Sequence, residues 1–310
     1  MVSVIIPTYN VECYIGRCLD SVLGQSYKDI EVVIVDDAST DQSLAIAEHI
    51  QSQHPNIHII KHKHNKGLMT TRRDGYMAAS GDFFMFVDSD DALPVDAVQM
   101  LVCRQAESNA DIVMGNLLKK FVSGHTEQRI GSLPYETSKT DVLAALLDNR
   151  IIHSLCGKLY KASIFKEKEL LHFDNLTIGE DGCLLYQLVE RADIVTSLCE
   201  TTYFYYENKA SSSLHSYGIE QVESLIIAYK TIAHVCWQYA QLRHKLQRRL
   251  TQAMFALYFD NVSIGKVKEL LRRHDMLRYG SMVYAIRFLK MSDWWFFAKR
   301  LVYARTMRTK

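Results

Sequence analysis

The sequence predicts an α/β fold in which helices cover a mostly parallel sheet and a helical region follows. Three observations predict it. Through the first hundred residues, short apolar runs alternate with helix-type patterns, which is typical of a parallel sheet buried on both faces. Acidic residues follow two of the apolar runs directly. From about residue 217 the pattern is helical almost to the end.

The predicted elements follow in order along the chain. Strands are expected at residues 2–7, 31–35, 58–60, 83–87 and 111–115. The helices between them are expected at residues 11–26, from a cap at Ser39 or Thr40 to Pro55, and at 67–79 and 94–108. Further on, the sequence predicts helices at 141–149 and 180–192 and two strands at 194–198 and 202–206. Sheets of this kind bind ligands beyond the carboxyl ends of their strands.

Composition places the chain among ordinary globular proteins. Of its 310 residues, 48% are hydrophobic and 23% charged, which argues against long disorder. The seven cysteines are scattered and never form a CxxC pair, so we expect reduced thiols and no zinc site. No secretion signal and no apolar run of membrane-spanning length is expected, and a cytoplasmic location is therefore predicted.

Charge is distributed unevenly along the chain. Residues 241–310 hold 16 lysines and arginines against 4 aspartates and glutamates, whereas the rest holds 20 against 31. Aromatic residues interleave with cations near the end: Trp294, Trp295, Phe296 and Phe297 stand with Arg287, Lys290, Lys299, Arg300, Arg305 and Arg308. Such a segment either lies on an anionic membrane surface or packs on the body of the protein. Nucleic-acid binding is not expected, since no binding motif accompanies the charge.

The quartet Asp88-Ser89-Asp90-Asp91 ends the apolar run at 83–87. Three neighbouring carboxylates repel one another and lose hydration, so a positive partner is expected beside them, and a divalent metal holding a diphosphate is the simplest candidate. Asp36-Asp37 ends an earlier strand, and parallel geometry brings it to the same edge of the sheet. Glu180-Asp181 opens a later helix.

Phosphate recognition must use other groups than a glycine-rich loop. Neither G-x-G-x-x-G nor G-x-x-x-x-G-K-[ST] occurs, so a dinucleotide-binding fold or a P-loop is not supported. Lys66, Arg72 and Arg73 lie between the two acidic clusters in the sequence and could assist a metal ion.

An ordered series of motifs resembles the inverting family-2 glycosyltransferases, which have the GT-A fold. The series is VSVIIPTYN at 2–10, YI at 14–15, CLDSV at 18–22, QSY at 25–27, EVVIVDDASTD at 31–41, NKGL at 65–68, Arg72, Gly75, SGD at 80–82, FVDSDD at 86–91, KLY at 158–160 and GED at 179–181. It covers roughly residues 1–213. The resemblance implies an α/β fold of GT-A type, with a mostly parallel nucleotide-binding sheet flanked by helices and a C-terminal helical extension.

The resemblance also implies roles for individual residues. Asp88 and Asp90 form the D-x-D element: Asp90 coordinates Mn²⁺ or Mg²⁺ on the diphosphate of a nucleotide-sugar donor, most often a UDP-sugar, and Asp88 contacts the ribose. Asp181, beside Glu180, is the general base. The residues implied at the donor nucleotide are Thr8, Tyr9, Glu12, Asp37, Lys66 and Arg72. Arg73 departs from the family, which usually has Asn there, so its contact is open.

This implied chemistry is physically consistent. A cation stabilises charge on the leaving diphosphate, and a carboxylate that takes the proton of an acceptor hydroxyl typically contributes ~10²–10⁴-fold. A single base without a second nucleophilic carboxylate gives one displacement, which inverts the anomeric centre. The expected acceptor is a glycan or a lipid-linked saccharide in bacterial lipopolysaccharide, capsule or exopolysaccharide synthesis.

The predicted division of the chain follows from these roles. Residues 1–115 are the nucleotide-sugar-binding half of one domain, and 116–215 are its acceptor-binding and catalytic half. Residues 216–310 form a basic helical region, and association with the inner face of the cytoplasmic membrane is one expectation for it.

Alternatives remain open at this point. Each acid could be only a turn or helix-cap residue. His58, His62 and His64 are expected to be exposed or structural, His215 is a weak candidate for the diphosphate, and Tyr206 a weak one for the acceptor. A sugar-phosphate nucleotidylyltransferase is one alternative enzyme, although its glycine-rich loop is missing after the first strand. A non-catalytic scaffold that binds nucleotide sugar or glycan is the other alternative.

Overall fold

The structure is a computed structural model that describes residues 1–121, 124–129, 133, 136–166, 170–174, 176–207, 218–259, 262–290, 293–294 and 297. Within these residues the chain forms two compact units. The first is bounded by Met1–Leu176 and Gln187–Ser211, and the second by Thr177–Tyr186 and Ser212–Lys310.

The strands all belong to the first unit. They are β1 (Val2–Thr8), β2 (Ile30–Asp36), β3 (Ile57–Lys61), β4 (Phe83–Phe86), β5 (Ile112–Phe121), β6 (Thr126–Arg129), β7 (Glu136–Thr137), β8 (Lys158–Lys161) and β9 (Val195–Glu207). The helices are α1 (Ile15–Leu23), α2 (Ser43–Gln51), α3 (Leu68–Ala78), α4 (Ala97–Ser108), α5 (Lys139–Leu147), α6 (Ser163–Lys166), α7 (Glu180–Arg191), α8 (Ile219–Trp237), α9 (Arg243–Ala256), α10 (Ile264–Arg273) and α11 (Met282–Phe288).

The described strands form one sheet in the order β3-β2-β1-β4-β8-β5-β9-β7, with β6 beside β5. The half from β3 to β4 is parallel, and β8 runs antiparallel to both β4 and β5. Every residue of β1 and of β2 is buried, as expected for strands covered on both faces. The predicted α/β fold, a sheet flanked by helices, is therefore confirmed. The described sheet as a whole is mixed, with four parallel and four antiparallel strand pairs, and its parallel strands are concentrated in the half from β3 to β4.

The predicted break between two strands near residue 200 is wrong, because β9 is one strand. Its partner β5 pairs Met114 with Ser197 but Asn116 with Thr201, so β9 carries extra residues in a bulge. The amide of Asn116 donates to the carbonyl oxygen of Cys199 at 2.7 Å and holds the bulge. The sequence near residue 200 is polar and resembles a turn, but the bulge accommodates it inside a continuous strand.

The predicted cap of α2 is also wrong. The helix begins at Ser43, and neither Ser39 nor Thr40 caps it. Both residues bond instead to Asn10, which follows β1: Asn10 N donates to Ser39 Oγ at 3.2 Å, and Thr40 N donates to Asn10 Oδ1 at 2.8 Å. Ser39 and Thr40 therefore bond to the segment after β1 and do not cap α2.

The second unit contains the predicted C-terminal helices together with the first half of α7. Its core includes Val222 and Ile226 from α8 and Leu246 and Leu250 from α9, all fully buried. Among the helices that the structure describes, none is both long enough and apolar enough to cross a membrane. The predicted tail residues Trp295, Phe296, Lys299, Arg300, Arg305 and Arg308 lie outside the described residues.

Candidate functional site

The carboxyl ends of β1, β2 and β4 lie at one edge of the sheet, because these strands are parallel and adjacent. The register places Thr8 beside Asp36 and Ile5 beside Phe86. Asp37 leaves β2 at this edge, and the quartet Asp88–Asp91, here called the acidic turn, follows β4. The two acidic clusters of the first unit therefore share one edge, separated by a single strand.

The acidic turn is held from the far end of the sheet by Tyr203 on β9. The Tyr203 hydroxyl donates to Asp91 Oδ2 at 2.7 Å and accepts from the backbone N–H of Asp88 at 3.1 Å. The backbone N–H of Tyr206 donates to Asp91 Oδ1 at 2.8 Å. Asp91 is 1% exposed, whereas 30% of the Asp88 side chain is accessible. One acid of the turn thus anchors it, while Asp88 faces solvent.

The carboxylates of the acidic turn lie close enough to influence one another's ionisation. Burial, and then the charges of Asp88 and Asp90, raise the pKa of the Asp91 carboxyl to about 8. The hydrogen bonds from the Tyr206 backbone and the Tyr203 hydroxyl act in the opposite direction and do not overcome these effects. The carboxyl of Asp91 is therefore largely protonated at neutral pH.

Arg72 supplies positive charge to the acidic turn from α3. Its side chain is 2% exposed, and its Nη2 donates to Asp88 Oδ1 at 2.8 Å. Close packing of α3 brings it there: a Cβ added at Gly75 would lie 2.5 Å from the side chain of Ile5 on β1. Arg73, whose contact the sequence leaves open, lies beside the Asp74 carboxylate at 3.3 Å.

Asp37 fixes the turn that precedes α3, and it does not cap α2. Its Oδ1 accepts from the backbone N–H of Lys66 at 2.8 Å, and its Oδ2 from that of Gly67 at 2.9 Å. Gly67 has a φ of +83°, a conformation that favours glycine. The ammonium group of Lys66 bonds to Asp74 Oδ2 at 3.1 Å. The imidazole of His62 bonds to both carboxylates.

Three further predicted residues lie at the end of β1 or just after it. Thr8 is 1% exposed, and its hydroxyl lies 3.4 Å from the carbonyl oxygen of Ile6. Tyr9 is 46% exposed. Glu12 accepts from the backbone N–H of Gln42 at 2.9 Å, just before α2. Tyr9 and Glu12 are therefore exposed, whereas Thr8 is buried.

Glu180 and Asp181 form the first turn of α7 and belong to the second unit. Both are half-buried. Gly179, just before the helix, has a φ of +87°, and a Cβ there would lie 2.8 Å from the Cβ of Ala228 on α8. Acidic residues are favoured at this position of a helix because its amino end is electropositive. The role of Asp181 as general base stays a prediction.

Sequence reasoning missed the positioning roles of Tyr203 and Arg17. Tyr203 is 112 residues from the Asp91 that it bonds, so no local pattern links them. Arg17, on α1, lies 3.7 Å from the ring centroid of Tyr206 and donates to the carbonyl oxygen of Asp90. Lys120 bonds to the hydroxyl of that same Tyr206 at 3.3 Å. The side chain of Tyr206 thus lies between two cations.

In the part of the chain that the structure describes, no three His, Cys, Asp or Glu residues are already grouped as metal ligands. Mg²⁺ in phosphate sites commonly uses only one or two carboxylates and takes its other ligands from phosphate and water. Asp88 and Asp90 provide the two carboxylates that such a phosphate site uses. His215, a weak candidate in the sequence, lies outside the described residues.

The described sheet has a parallel four-stranded half that ends in the acidic turn, and this half is joined to an antiparallel strand and a second parallel pair. This arrangement is that of the class of GT-A glycosyltransferases. Comparisons with known proteins agree. The profile of Glycosyl transferase family 2 matches residues 3–167. The chain therefore belongs to glycosyl transferase family 2, and the predicted resemblance is confirmed.

Two curated relatives and one solved structure illustrate the similarity. Glycosyltransferase GlyA of Streptococcus pneumoniae is 34% identical over 68% of this chain and 31% of GlyA. The uncharacterised glycosyltransferase EpsJ of Bacillus subtilis is 31% identical over 90% of this chain and 85% of EpsJ. A crystal structure of Staphylococcus aureus TarS 1-349 with UDP-GlcNAc has a TM-score of 0.64 at 20% identity, covering 92% of this chain and 91% of that one. The chain thus spans about a third of GlyA and most of EpsJ.

Proposed function

We propose that this chain moves a sugar from a nucleotide-sugar, with UDP as the favoured nucleotide, to a hydroxyl group of a bacterial surface glycan. The observation that carries the proposal is the shared sheet edge where the acidic turn and the Asp37 cluster meet. Such a donor has two parts that must be recognised, a nucleoside and a diphosphate. This edge offers the Asp37 cluster for the first and the acidic turn for the second. The TarS structure with UDP-GlcNAc supports the choice of donor class.

The acidic turn fits Mn²⁺ or Mg²⁺. Asp88 and Asp90 would hold the ion through carboxylate oxygens, which both ions prefer. The raised pKa of Asp91, caused by burial and then by the charges of Asp88 and Asp90, supports the fit because it shows that the carboxylates of this turn lie close together. When bound, the ion supplies positive charge to the leaving diphosphate.

Other residues of the chain bind the nucleoside, position Asp88 and accept the proton of the acceptor. Asp37 and the Lys66–Gly67 turn hold the nucleoside, with Thr8, Tyr9 and Glu12 around it. Arg72 keeps Asp88 in position. Asp181, with Glu180 beside it, takes the proton of the acceptor hydroxyl as that oxygen attacks the anomeric carbon. One displacement then inverts that carbon and gives a β-linkage from an α-linked donor.

The acceptor is a glycan or a lipid-linked saccharide of the bacterial surface, such as lipopolysaccharide, capsule or exopolysaccharide. The curated name of the relative TarS, poly(ribitol-phosphate) beta-N-acetylglucosaminyltransferase, supports a cell-surface polymer. The alternative of a non-catalytic scaffold predicts the same donor site but no transfer. A sugar-phosphate nucleotidylyltransferase is not supported, because the chain belongs to glycosyl transferase family 2.

The function is tested with purified chain, Mn²⁺ and a panel of nucleotide-sugars. The chain should bind at least one of them and hydrolyse it slowly without an acceptor. Asp181→Asn should lower transfer by ~10²–10⁴-fold and leave UDP binding intact, because it removes only the base. Asp193→Asn, a carboxylate whose side chain is 92% exposed, is the control. Failure to bind every nucleotide-sugar would sink the proposal, and full activity in Asp181→Asn would reassign the base.

Association with an anionic membrane surface is the second part of the proposal. Helix α11 leaves Met282, Val283 and Ile286 between 57% and 73% exposed, while Arg287 and Lys290 beside them are exposed cations. An apolar face flanked by cations is typical of interfacial helices.

Liposome sedimentation tests this association. The double variant Val283→Ser and Ile286→Ser should release the protein from phosphatidylglycerol vesicles. Ile264→Ser, which removes an apolar side chain that is 56% exposed from α10, should have no effect. Equal sedimentation of all three proteins would contradict membrane association.

A further inference from the structure

A buried histidine lies in the middle of the nucleoside side of the sheet edge. His62 follows β3, and its side chain is 3% exposed although the neighbouring Lys63, His64 and Asn65 are exposed. Its Nδ1 lies 2.7 Å from Asp37 Oδ1, and its Nε2 lies 3.0 Å from Asp74 Oδ2. One imidazole ring therefore bridges two carboxylates that come from β2 and α3.

Both partners of the ring are hydrogen-bond acceptors. Asp37 Oδ1 already receives the N–H of Lys66, so it acts as an acceptor there too. Two acceptors require that both ring nitrogens carry a hydrogen. The bridge is then a pair of charge-assisted hydrogen bonds, which are stronger than neutral ones.

The groups around Asp74 keep it ionised as the second acceptor. Burial works against ionisation, but the hydrogen bond and charge of Lys66 and the charge of Arg73 outweigh it and lower the pKa of Asp74. The charged groups at this bridge are Asp37, which follows β2, and Asp74 on α3, together with Lys66 from the β3–α3 loop and Arg73, both of which bond to Asp74. The carboxylates are the two that touch the ring.

The bridge connects both halves of the donor site. Asp37 holds the backbone of Lys66 and Gly67, and Gly67 directly precedes α3. The same helix carries Arg72 to Asp88. By tying Asp37 to Asp74, His62 clamps the first turns of α3 against the end of β2. Without the bridge, no shared side chain would hold the Asp37 carboxylate and the first turns of α3 together.

We propose that His62 is a positioning residue for donor recognition, which donates from both ring nitrogens and thereby orients the Asp37 carboxylate and the Lys66–Gly67 turn toward the nucleoside. The inference rests on the proposed function, since it assigns the nucleoside to this side of the edge. It adds a residue that the sequence alone leaves as exposed or structural. His62 touches neither donor nor acceptor and acts through Asp37.

Calorimetric titration with UDP and Mn²⁺ tests the proposal on the full chain. His62→Gln replaces the two separate ring N–H groups with one donor nitrogen and one acceptor oxygen, so it cannot donate to both carboxylates as the ring does and the Kd for UDP should rise about tenfold or more. Asp74→Asn keeps an acceptor oxygen and should stay within about twofold of the unmodified chain, whereas Asp74→Leu should resemble His62→Gln. His64→Gln, in the same loop but exposed, is the matched control and should change nothing.

Two readouts separate positioning from a merely structural role. In donor hydrolysis, His62→Gln should raise KM about tenfold while kcat changes less than about twofold, since partial unfolding would lower kcat instead. In ¹⁵N-edited NMR of histidine-labelled chain, one ring should show hydrogens on both nitrogens, and His62→Gln should remove that signal.

The outcomes distinguish this inference from the function it rests on. UDP binding by His62→Gln within twofold of the unmodified chain, at an unchanged melting temperature, would overturn the role of His62 and leave the proposed function intact. A ring with a hydrogen on one nitrogen only would overturn the bridge. No UDP binding by the unmodified chain would overturn both proposals.

Discussion

The two acidic clusters at the sheet edge balance their charge in opposite ways. Asp37 receives two backbone N–H groups and the ring of His62, and its side chain is 4% exposed. In the acidic turn, Arg72 pairs with Asp88. Nevertheless, burial and then the charges of Asp88 and Asp90 raise the pKa of Asp91 to about 8. In one cluster the carboxylate is surrounded by hydrogen-bond donors of the protein, whereas in the other neighbouring carboxylates oppose one another's ionisation.

This difference indicates two kinds of recognition. A carboxylate with fixed donors is preorganised and needs little rearrangement when a ligand binds. A turn in which carboxylates oppose one another's ionisation gains most from a cation that arrives with the ligand. We therefore expect the Asp37 side to recognise its ligand without metal and the acidic turn to recognise it only with metal. Three predictions test this contrast.

The largest effect is expected at Asp90. Asp90→Asn should lower transfer by about 10³-fold, because the metal supplies several kcal/mol of transition-state stabilisation. It should also abolish the gain in UDP affinity that Mn²⁺ brings, while the affinity without Mn²⁺ stays unchanged. Parallel titrations with Mn²⁺ and with EDTA measure this, and the exposed Asp96→Asn serves as control. An unaltered response of the UDP affinity to Mn²⁺ would contradict the expectation that the acidic turn recognises its ligand only with metal.

A smaller effect is expected at Asp37. Asp37→Asn places an amide N–H against one of the present donors, so the affinity for UDP should fall by about 10–100-fold. The loss should be equal with Mn²⁺ and with EDTA, unlike that of Asp90→Asn. Asp20→Asn, an exposed acid on α1, is the matched control. A loss confined to Mn²⁺ conditions would show that the two clusters act as one metal site.

The smallest effect is expected at Asp91, and it concerns stability. A carboxyl with a pKa of about 8, raised by burial and then by Asp88 and Asp90, is largely neutral at pH 7, so Asp91→Asn should stay within about 0.5 kcal/mol of the unmodified chain. Asp91→Ala leaves the Tyr203 hydroxyl and the Tyr206 N–H without this partner and should cost about 1–3 kcal/mol. Urea unfolding measures both. Equal losses for the two variants would mean that the carboxyl is ionised.

Several features of the site were predictable because they depend on neighbours in the sequence. An apolar run followed by Asp88, and another followed by Asp37, indicates two strand ends, and parallel pairing then places both at one edge. The buried ring of His62 was not predictable, since polar residues surround it in the chain. Nor was the anchoring of Asp91 by Tyr203, which is 112 residues away.

The sequence by itself determined the alternation of strands and helices, the family and the candidate acids, because local periodicity and motif order encode them. The tertiary structure decided which partner each acid has: Arg72 for Asp88, Tyr203 for Asp91, and His62 between Asp37 and Asp74. Those pairings join residues from different strands and helices. They depend on close packing, such as that of Gly75 against Ile5, which no local pattern specifies.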